Sequence, residues 1–252
     1  MPETRLHWGT GADLSTLGDH EADLVFTSPP YYPADLADDL LQPRRLQADF
    51  ARVQARALAY AHTFSGVYRE VARVLKAQRA LILQIRDLRY GGFLIPLAET
   101  HRQLLAAQGL RLVTRLGWCQ PYGNFQRRPT FLRAPRVGGF VADDPEEFLV
   151  FAGEKGLPAR DLPVDLELPG PELVRPLWTF SSPHRAEDHP WAMPREAARR
   201  LVALFSAPGD LVVDPMMGYG TVLEEAQKLG RAVAWWELDE ASFRAATGRL
   251  VR

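Results

Sequence analysis

Cysteine is almost missing from this chain: Cys119 is the only one in 252 residues. A lone cysteine excludes an internal disulfide framework and any cysteine-rich zinc site. Lysine is scarce too, three residues against 27 arginines, and Asn124 is the only asparagine. No apolar run approaches the ~18 residues that cross a bilayer. The opening Met1-Pro2-Glu3-Thr4-Arg5 lacks the charged-then-apolar pattern of a secretory signal. Excess charge of either sign is also absent: 30 basic and 31 acidic side chains leave a formal net charge of −1, so no global basic signature marks a nucleic-acid partner. What remains is 46% hydrophobic and 24% charged, which argues for a substantial core and against disorder. The expectation is a cytoplasmic globular protein with no membrane partner, built as one large domain or one domain carrying an insertion.

The near-zero charge hides an uneven distribution. From Arg111 to Phe140 there are six arginines (Arg111, Arg115, Arg127, Arg128, Arg133, Arg136) and no acid, whereas Asp13 to Asp49 holds eight acids against Arg44 and Arg45. Short apolar runs suited to buried strands recur at 5–8, 23–27, 81–85, 147–151, 211–213 and 232–236, and residues 111–118 alternate like a strand. Between them, a three-to-four spacing of apolar residues predicts helices over about 46–76, 96–108, 194–207, 222–229 and from Glu240 onward. Strands alternating with helices indicate an α/β protein with a mostly parallel, seven-stranded sheet covered by helices on both faces. Half of the twenty prolines lie between Pro121 and Pro183, which marks that stretch as a loop-rich insertion.

Two turns carry chemistry. Asp214-Pro215-Met216-Met217-Gly218-Tyr219-Gly220-Thr221 joins an apolar strand to a helix. Its glycines allow close approach of a ligand, and the helix start offers free N–H groups. It is neither a phosphate loop, since no lysine follows, nor the three-glycine dinucleotide fingerprint. Glu237 ends the next strand, where an acid commonly accepts from ribose hydroxyls. An acidic rim at Asp214 and Glu237 suits a cationic cofactor such as S-adenosylmethionine. The plainer alternative is a tight turn with Glu237 capping the last helix. A bulky side chain at Gly220 is expected to fill the cofactor pocket.

The second turn, Thr27-Ser28-Pro29-Pro30-Tyr31, also follows a buried strand. Its two prolines remove backbone donors and leave carbonyl acceptors. Ser28 adds a hydroxyl and Tyr31 a flat aromatic face, so the turn could hold an exocyclic amine beside a stacked ring. A polyproline turn that docks a partner is the alternative reading.

Together these residues resemble the β-class DNA amino-methyltransferases, a permuted group in which the catalytic motif precedes the cofactor motif. Thr27-Ser-Pro-Pro-Tyr31 is similar to the catalytic motif in its cytosine-N4 form, and residues 214–221 to the cofactor motif Asp-Pro-Phe-x-Gly-x-Gly-Thr. His189-Pro190 resembles the element that precedes it, and Trp236-Glu237-Leu238-Asp239 the family's Ile-Glu-Leu ending. Met216 stands where phenylalanine is usual. Thr10 in Trp8-Gly9-Thr10-Gly11 stands where the family often has Gly-Asp. Lys76-Ala77-Gln78-Arg79 replaces a Pro-Gly-Gly turn, expected to be a surface turn.

The resemblance implies a permuted Rossmann-like fold. Its catalytic half is 1–120, its loop-rich insertion and partial target-recognition region 121–183, and its cofactor half 184–252. It implies S-adenosylmethionine as cofactor, bound by Gly9, Thr10, His189, Asp214, Pro215, Met216, Gly218, Gly220, Thr221 and Glu237, with no metal. Ser28, Pro29, Pro30 and Tyr31 would be catalytic, acting on the N4 amine of a cytosine flipped out of double-stranded DNA. Arg127, Arg128, Arg133, Arg136 and Asn124, with Tyr122 and Phe125, would face that DNA. Adenine-N6 or RNA-base methylation is a rival reading, and a non-catalytic cofactor-dependent DNA-binding protein another. A homodimer and a cognate restriction endonuclease are further partners that the resemblance allows. Cys119 is expected as a buried filler, and His7, His62 and His101 as ordinary packing or surface residues.

Overall fold

The computed structural model describes residues 3–36, 50–90, 93–119, 146–159, 170–181 and 193–250. Strands β1 (Thr4–Trp8) and β2 (Ala22–Thr27) precede helices α1 (Phe50–His62) and α2 (Ser65–Val74). Then come β3 (Leu75–Ile85), a hairpin of β4 (Leu88–Tyr90) and β5 (Phe93–Ile95), α3 (Leu97–Ala106) and β6 (Arg111–Cys119). β7 (Glu146–Ala152), α4 (Gly170–Leu173), β8 (Leu177–Thr179) and α5 (Arg195–Phe205) follow. The chain closes with β9 (Leu211–Asp214), α6 (Thr221–Lys228), β10 (Ala232–Glu237) and α7 (Glu240–Leu250).

Among the described residues, eight strands form the main sheet in the order β1-β10-β9-β2-β3-β7-β6-β8. All seven expected strands are in it, and three-residue β8 extends one edge. The sheet is mostly parallel; only β7 runs antiparallel to its neighbours β3 and β6. β1 lies parallel to β10, with Trp8 level with Glu237. The chain's first strand therefore completes the side of the sheet built by its last ones, as a permuted order requires.

Every residue of β2 is buried, because the strand is central and helices cover both faces. Its side chains alternate between two layers. Val25 joins Leu81, Leu83 and Val213 beneath Val53, Ala57, Tyr68, Val71 and Leu105 of α1, α2 and α3. Leu24 and Phe26 join Ile82, Val212 and Trp235 beneath Ala198, Leu201 and Leu223 of α5 and α6. At the amino edge, buried Asp23 accepts the Leu211 N–H at 3.1 Å and pairs with Lys76 at 2.8 Å and Arg79 at 3.0 Å. One carboxylate thus ties β2, β3 and β9 in register.

Two local expectations change. The helix foreseen over 46–76 is two helices in its described part, broken at Thr63 and Phe64. Phe64 turns its ring between Tyr60 and His101, with centroids 5.3 and 5.9 Å away, so the apolar period runs on across the break. Lys76–Arg79 is not a surface turn: it lies within β3, where Gln78 adopts φ +60° and the pairing with β2 shifts register. Gln78 takes the left-handed conformation that glycine adopts at no steric cost.

Candidate active site

β2 and β9 lie side by side and parallel, Leu24 beside Val212 and Val25 beside Val213. From β2 the chain crosses through α1 and α2 on one face, and from β9 through α6 on the other. Connections that leave in opposite directions open a crevice at the carboxyl ends of adjacent strands, where open α/β sheets take ligands. Both turns singled out in the sequence sit there: residues 28–31 leave β2, and residues 215–220 leave β9. Pro29 is buried, Ser28 and Tyr31 are half-buried, and Pro30 is exposed.

The backbone N–H groups of Met216, Met217, Gly218 and Gly220 in the glycine turn are each held. Buried Asp214 accepts the Met216 N–H at 3.0 Å, Met217 N–H reaches Trp236 O at 3.0 Å, and Gly220 N–H reaches Met217 O at 2.9 Å. Met216 packs half-buried against the layer containing Val25 and Val213. Glu237 spans the gap between strands, accepting the Gly218 N–H at 2.9 Å and the Asp239 N–H at 2.7 Å. Gly218 and Gly220 have φ of +51° and +75°, conformations costly for residues with a Cβ. A Cβ at Gly218 would meet nothing within 4 Å, whereas one at Gly220 would lie 2.9 Å from the Trp235 ring and 3.4 Å from Ala246. Gly220 therefore faces the core, not the pocket that a bulky residue there was expected to fill; Gly218 is the glycine open to space. Thr221 is buried at the start of α6.

The turn after β1 closes the third side. Gly9 N–H donates to Glu237 O at 3.0 Å. Thr10 is exposed, and its hydroxyl accepts the Ala12 N–H at 3.2 Å. A Cβ on Gly11 would lie 2.2 Å from the carbonyl oxygen of buried Pro215, so only glycine lets these two turns touch. Gly11 was not among the expected site residues, although it lies two positions beyond Gly9. Exposed Trp8 reaches across through its indole N–H, 3.3 Å from Leu238 O.

Burial pushes the Asp214 carboxyl up to about 7, against the opposing pull of the Met216 N–H and with Glu237 nearby adding to the rise. Burial also raises Glu237, while the Asp239 and Gly218 N–H groups favour its anion. Among the described residues, neither acid is in an ion pair. Two buried acids in one crevice, with no basic partner among the described residues, make a site whose electrostatics favour a cation. No group of three or more His, Cys, Asp or Glu is arranged to hold a metal among the described residues.

Nothing in the sequence hints at what surrounds Tyr31. Its hydroxyl donates to Glu146 Oε2 at 3.0 Å, the same oxygen lies 3.4 Å from Gln84 Nε2, and Arg86 Nη1 stands 3.6 Å from Glu146 Oε1. Because β7 runs antiparallel to β3, its first residue lands at the carboxyl edge beside the Tyr31 turn. Burial, followed by the Glu146 charge and hydrogen bond, raises the Tyr31 phenol well above its ordinary value.

His189, Arg127, Arg128, Arg133, Arg136, Asn124, Tyr122 and Phe125 lie outside the described residues. Cys119 is half-buried at the end of β6, its Sγ 3.5 Å from Thr179 Oγ1. It is not a fully buried filler, because β6 ends at the sheet's rim. His7 stacks on Trp236 at 4.5 Å, and His101 is buried beside the Tyr68 hydroxyl, its pKa lowered by burial to about 4.

A family description, N6/N4 DNA methylase, matches residues 22–247. The chain belongs to the DNA methylase family. Over 86% of its length it is 25% identical to the type II methyltransferase M.BglII of Bacillus subtilis, of which it spans 60%. Among solved structures, a Thermus thermophilus protein described as a DNA modification methylase, complexed with S-adenosyl-L-methionine, matches at TM-score 0.71 and 24% identity. That match covers 99% of this chain and 93% of the other. The cytosine-N4-specific PvuII DNA methyltransferase matches at TM-score 0.74 and 17% identity, over 99% of this chain and 87% of the other. The DNA methylase fold therefore accounts for the sheet order, the permuted chain order and the crevice between β2 and β9.

Proposed function

We propose that this DNA methylase family member transfers a methyl group from S-adenosylmethionine to the exocyclic N4 amine of a cytosine within a specific sequence of double-stranded DNA. The observation that carries the reading is the meeting of two turns at one crevice: Ser28-Pro29-Pro30-Tyr31 at the end of β2 and residues 214–220 at the end of neighbouring β9. The residues present fit the cofactor. Asp214 and Glu237 supply acids for a cationic ligand and Gly218 opens into space; Gly9, Thr10, Pro215, Met216 and Thr221 shape the walls, while Gly220, which faces the core, sets the turn that leads into α6. When bound, the cofactor supplies an activated methyl on a sulfonium.

The rest is the work of the chain's own side chains. An exocyclic amine is a weak nucleophile because its lone pair is delocalised into the ring. Ser28 Oγ and the Pro29 carbonyl accept its hydrogens and localise that pair. Pro30 stiffens the turn, and the Tyr31 ring stacks on a base taken out of the duplex. We assign His189 a role in cofactor binding. Arg127, Arg128, Arg133, Arg136 and Asn124 contact DNA, the arginines through phosphates and guanine edges. Serine at position 28 favours cytosine over adenine. A cognate endonuclease and a second copy of the chain are the protein partners this reading admits, with the cytoplasm as its setting; no helix among the described residues is long and apolar enough to cross a membrane.

Methyl mapping of host DNA after expression of the wild type and of Pro29→Ala tests this. The expected result is N4-methylcytosine at one recurring sequence with the wild type, reduced at least tenfold in the variant. N6-methyladenine instead would move the target to adenine. Patterns identical to cells without the gene would overturn the enzymatic reading.

A further inference from the structure

We propose that Glu146 is a positioning residue for methyl transfer, fixing the Tyr31 ring by anchoring its hydroxyl; the proposal rests on the functional reading above. Tyr31 sits on a turn, and the preceding Pro29 and Pro30 stiffen the chain that leads to it without setting its ring. A stacking platform is useful only if its plane is fixed before the base arrives, since a freely rotating ring would be ordered at the expense of binding.

Glu146 supplies what the turn lacks. One oxygen takes the Tyr31 hydroxyl at 3.0 Å with Gln84 Nε2 at 3.4 Å, and the other faces Arg86 Nη1 at 3.6 Å. Gln84 and Arg86 stand at the carboxyl end of β3, next to β2, and Glu146 opens β7 on the other side of β3. The ring is thus clamped from two strands of the rigid sheet, not from a loop. A carboxylate suits the place because all three neighbours are donors. Arg86 offsets its charge, which would otherwise repel a nearby phosphate backbone.

The clamp holds one edge of the ring through its hydroxyl. Tyr31 is only half-buried, its inner part packed against the core layer that contains Val25 and Leu83. Its hydroxyl also faces the Ser28 side chain, so Tyr31→Phe removes that contact as well as the bond to Glu146. Removing both ends of the bond should therefore cost no more than removing the Tyr31 hydroxyl alone.

The test compares Glu146→Ala, Glu146→Gln, Tyr31→Phe and the Glu146→Ala/Tyr31→Phe double variant in full-length protein. Transfer of radiolabelled methyl from S-adenosylmethionine to unmodified genomic DNA is measured, with cofactor affinity and thermal unfolding alongside. Glu146→Ala and Tyr31→Phe should each lower kcat/KM for DNA by about tenfold, the scale of one lost charge-assisted hydrogen bond. The double variant should match Tyr31→Phe, and cofactor affinity should stay within about twofold. Glu146→Gln, which still accepts from the Tyr31 hydroxyl, should recover most of the loss. Wild-type turnover in Glu146→Ala, or losses that multiply in the double variant, would overturn the positioning role while leaving methyl transfer intact. If Glu146→Ala unfolds, Glu146→Asp, whose carboxylate is one methylene too short to reach the hydroxyl, takes its place. A wild type that labels no DNA would instead overturn the functional reading, and the positioning role with it.

Discussion

Asp214 shows how one residue can carry both structure and chemistry. Its backbone ends β9, its carboxyl starts the glycine turn by accepting the Met216 N–H, and burial lifts its pKa to about 7. In the free protein the shift costs stability as pH rises from the ordinary aspartate range toward 7, because the unfolded chain releases this proton first. A bound cation reverses the preference by favouring the anion. Binding of S-adenosylmethionine is then coupled to proton release and should tighten roughly tenfold between pH 6 and pH 8, levelling off above. Calorimetry across that range in buffers of different ionisation enthalpy measures both the affinity and the proton. Asp214→Asn should flatten the profile; a wild-type affinity independent of pH would mean that the acid does not face the cofactor's charge. Asp214 could be picked out in the sequence because it ends an apolar run, but its pKa could not, since burial depends on how completely β2, β10 and the turn after β1 enclose it.

At the level of elements, the site depends on turns that press against one another. Gly11 and Gly218 separate two effects that the sequence cannot. A methyl on Gly11 would run into the Pro215 carbonyl at 2.2 Å, backbone against backbone, whereas Gly218 faces open space at φ +51°. Gly11→Ala should push the turn after β1 away from the turn after β9 and lower stability by about 1–3 kcal/mol. Gly218→Trp should cost only the strain of its backbone, about 1–2 kcal/mol, yet abolish cofactor binding by filling the crevice. Thermal unfolding and calorimetry on both variants check the contrast, and an unchanged melting temperature for Gly11→Ala would show that the two turns do not touch. The strands themselves were legible because central parallel strands are buried on both faces and read as unbroken apolar runs, as Asp23–Thr27 and Leu211–Val213 do. The break at Phe64 was not, since the apolar period continues through it, and neither was β8, too short to show a period. Glu146 was hidden for another reason: only the antiparallel return of β7 carries it to Tyr31, and nothing local to residue 146 records that.

For the molecule as a whole, the problem is how a chain of net charge −1 can hold a polyanion. The charge has to be divided, and the sequence divides it, with eight acids between Asp13 and Asp49 and six arginines between Arg111 and Phe140. Two of those arginines are already engaged on the sheet: Arg111 lies 3.2 Å from Glu154 and Arg115 4.0 Å from Glu147. Arg127, Arg128, Arg133 and Arg136 lie outside the described residues, and we propose that they meet phosphates. Each phosphate contact releases condensed counterions and adds about 0.9 to the slope of log affinity against log salt. Replacing the four with glutamine should therefore reduce that slope by about 3 to 4 for a duplex of arbitrary sequence, read by fluorescence anisotropy between about 50 and 200 mM salt. Cofactor affinity should not change, because the described walls of the crevice between β2 and β9 come from other parts of the chain. Replacing Arg111 and Arg115 should alter the slope far less, since their charge is already balanced by acids. A slope unaffected by the fourfold substitution would place the DNA on a different face and leave the arginine-rich stretch without a role in binding it.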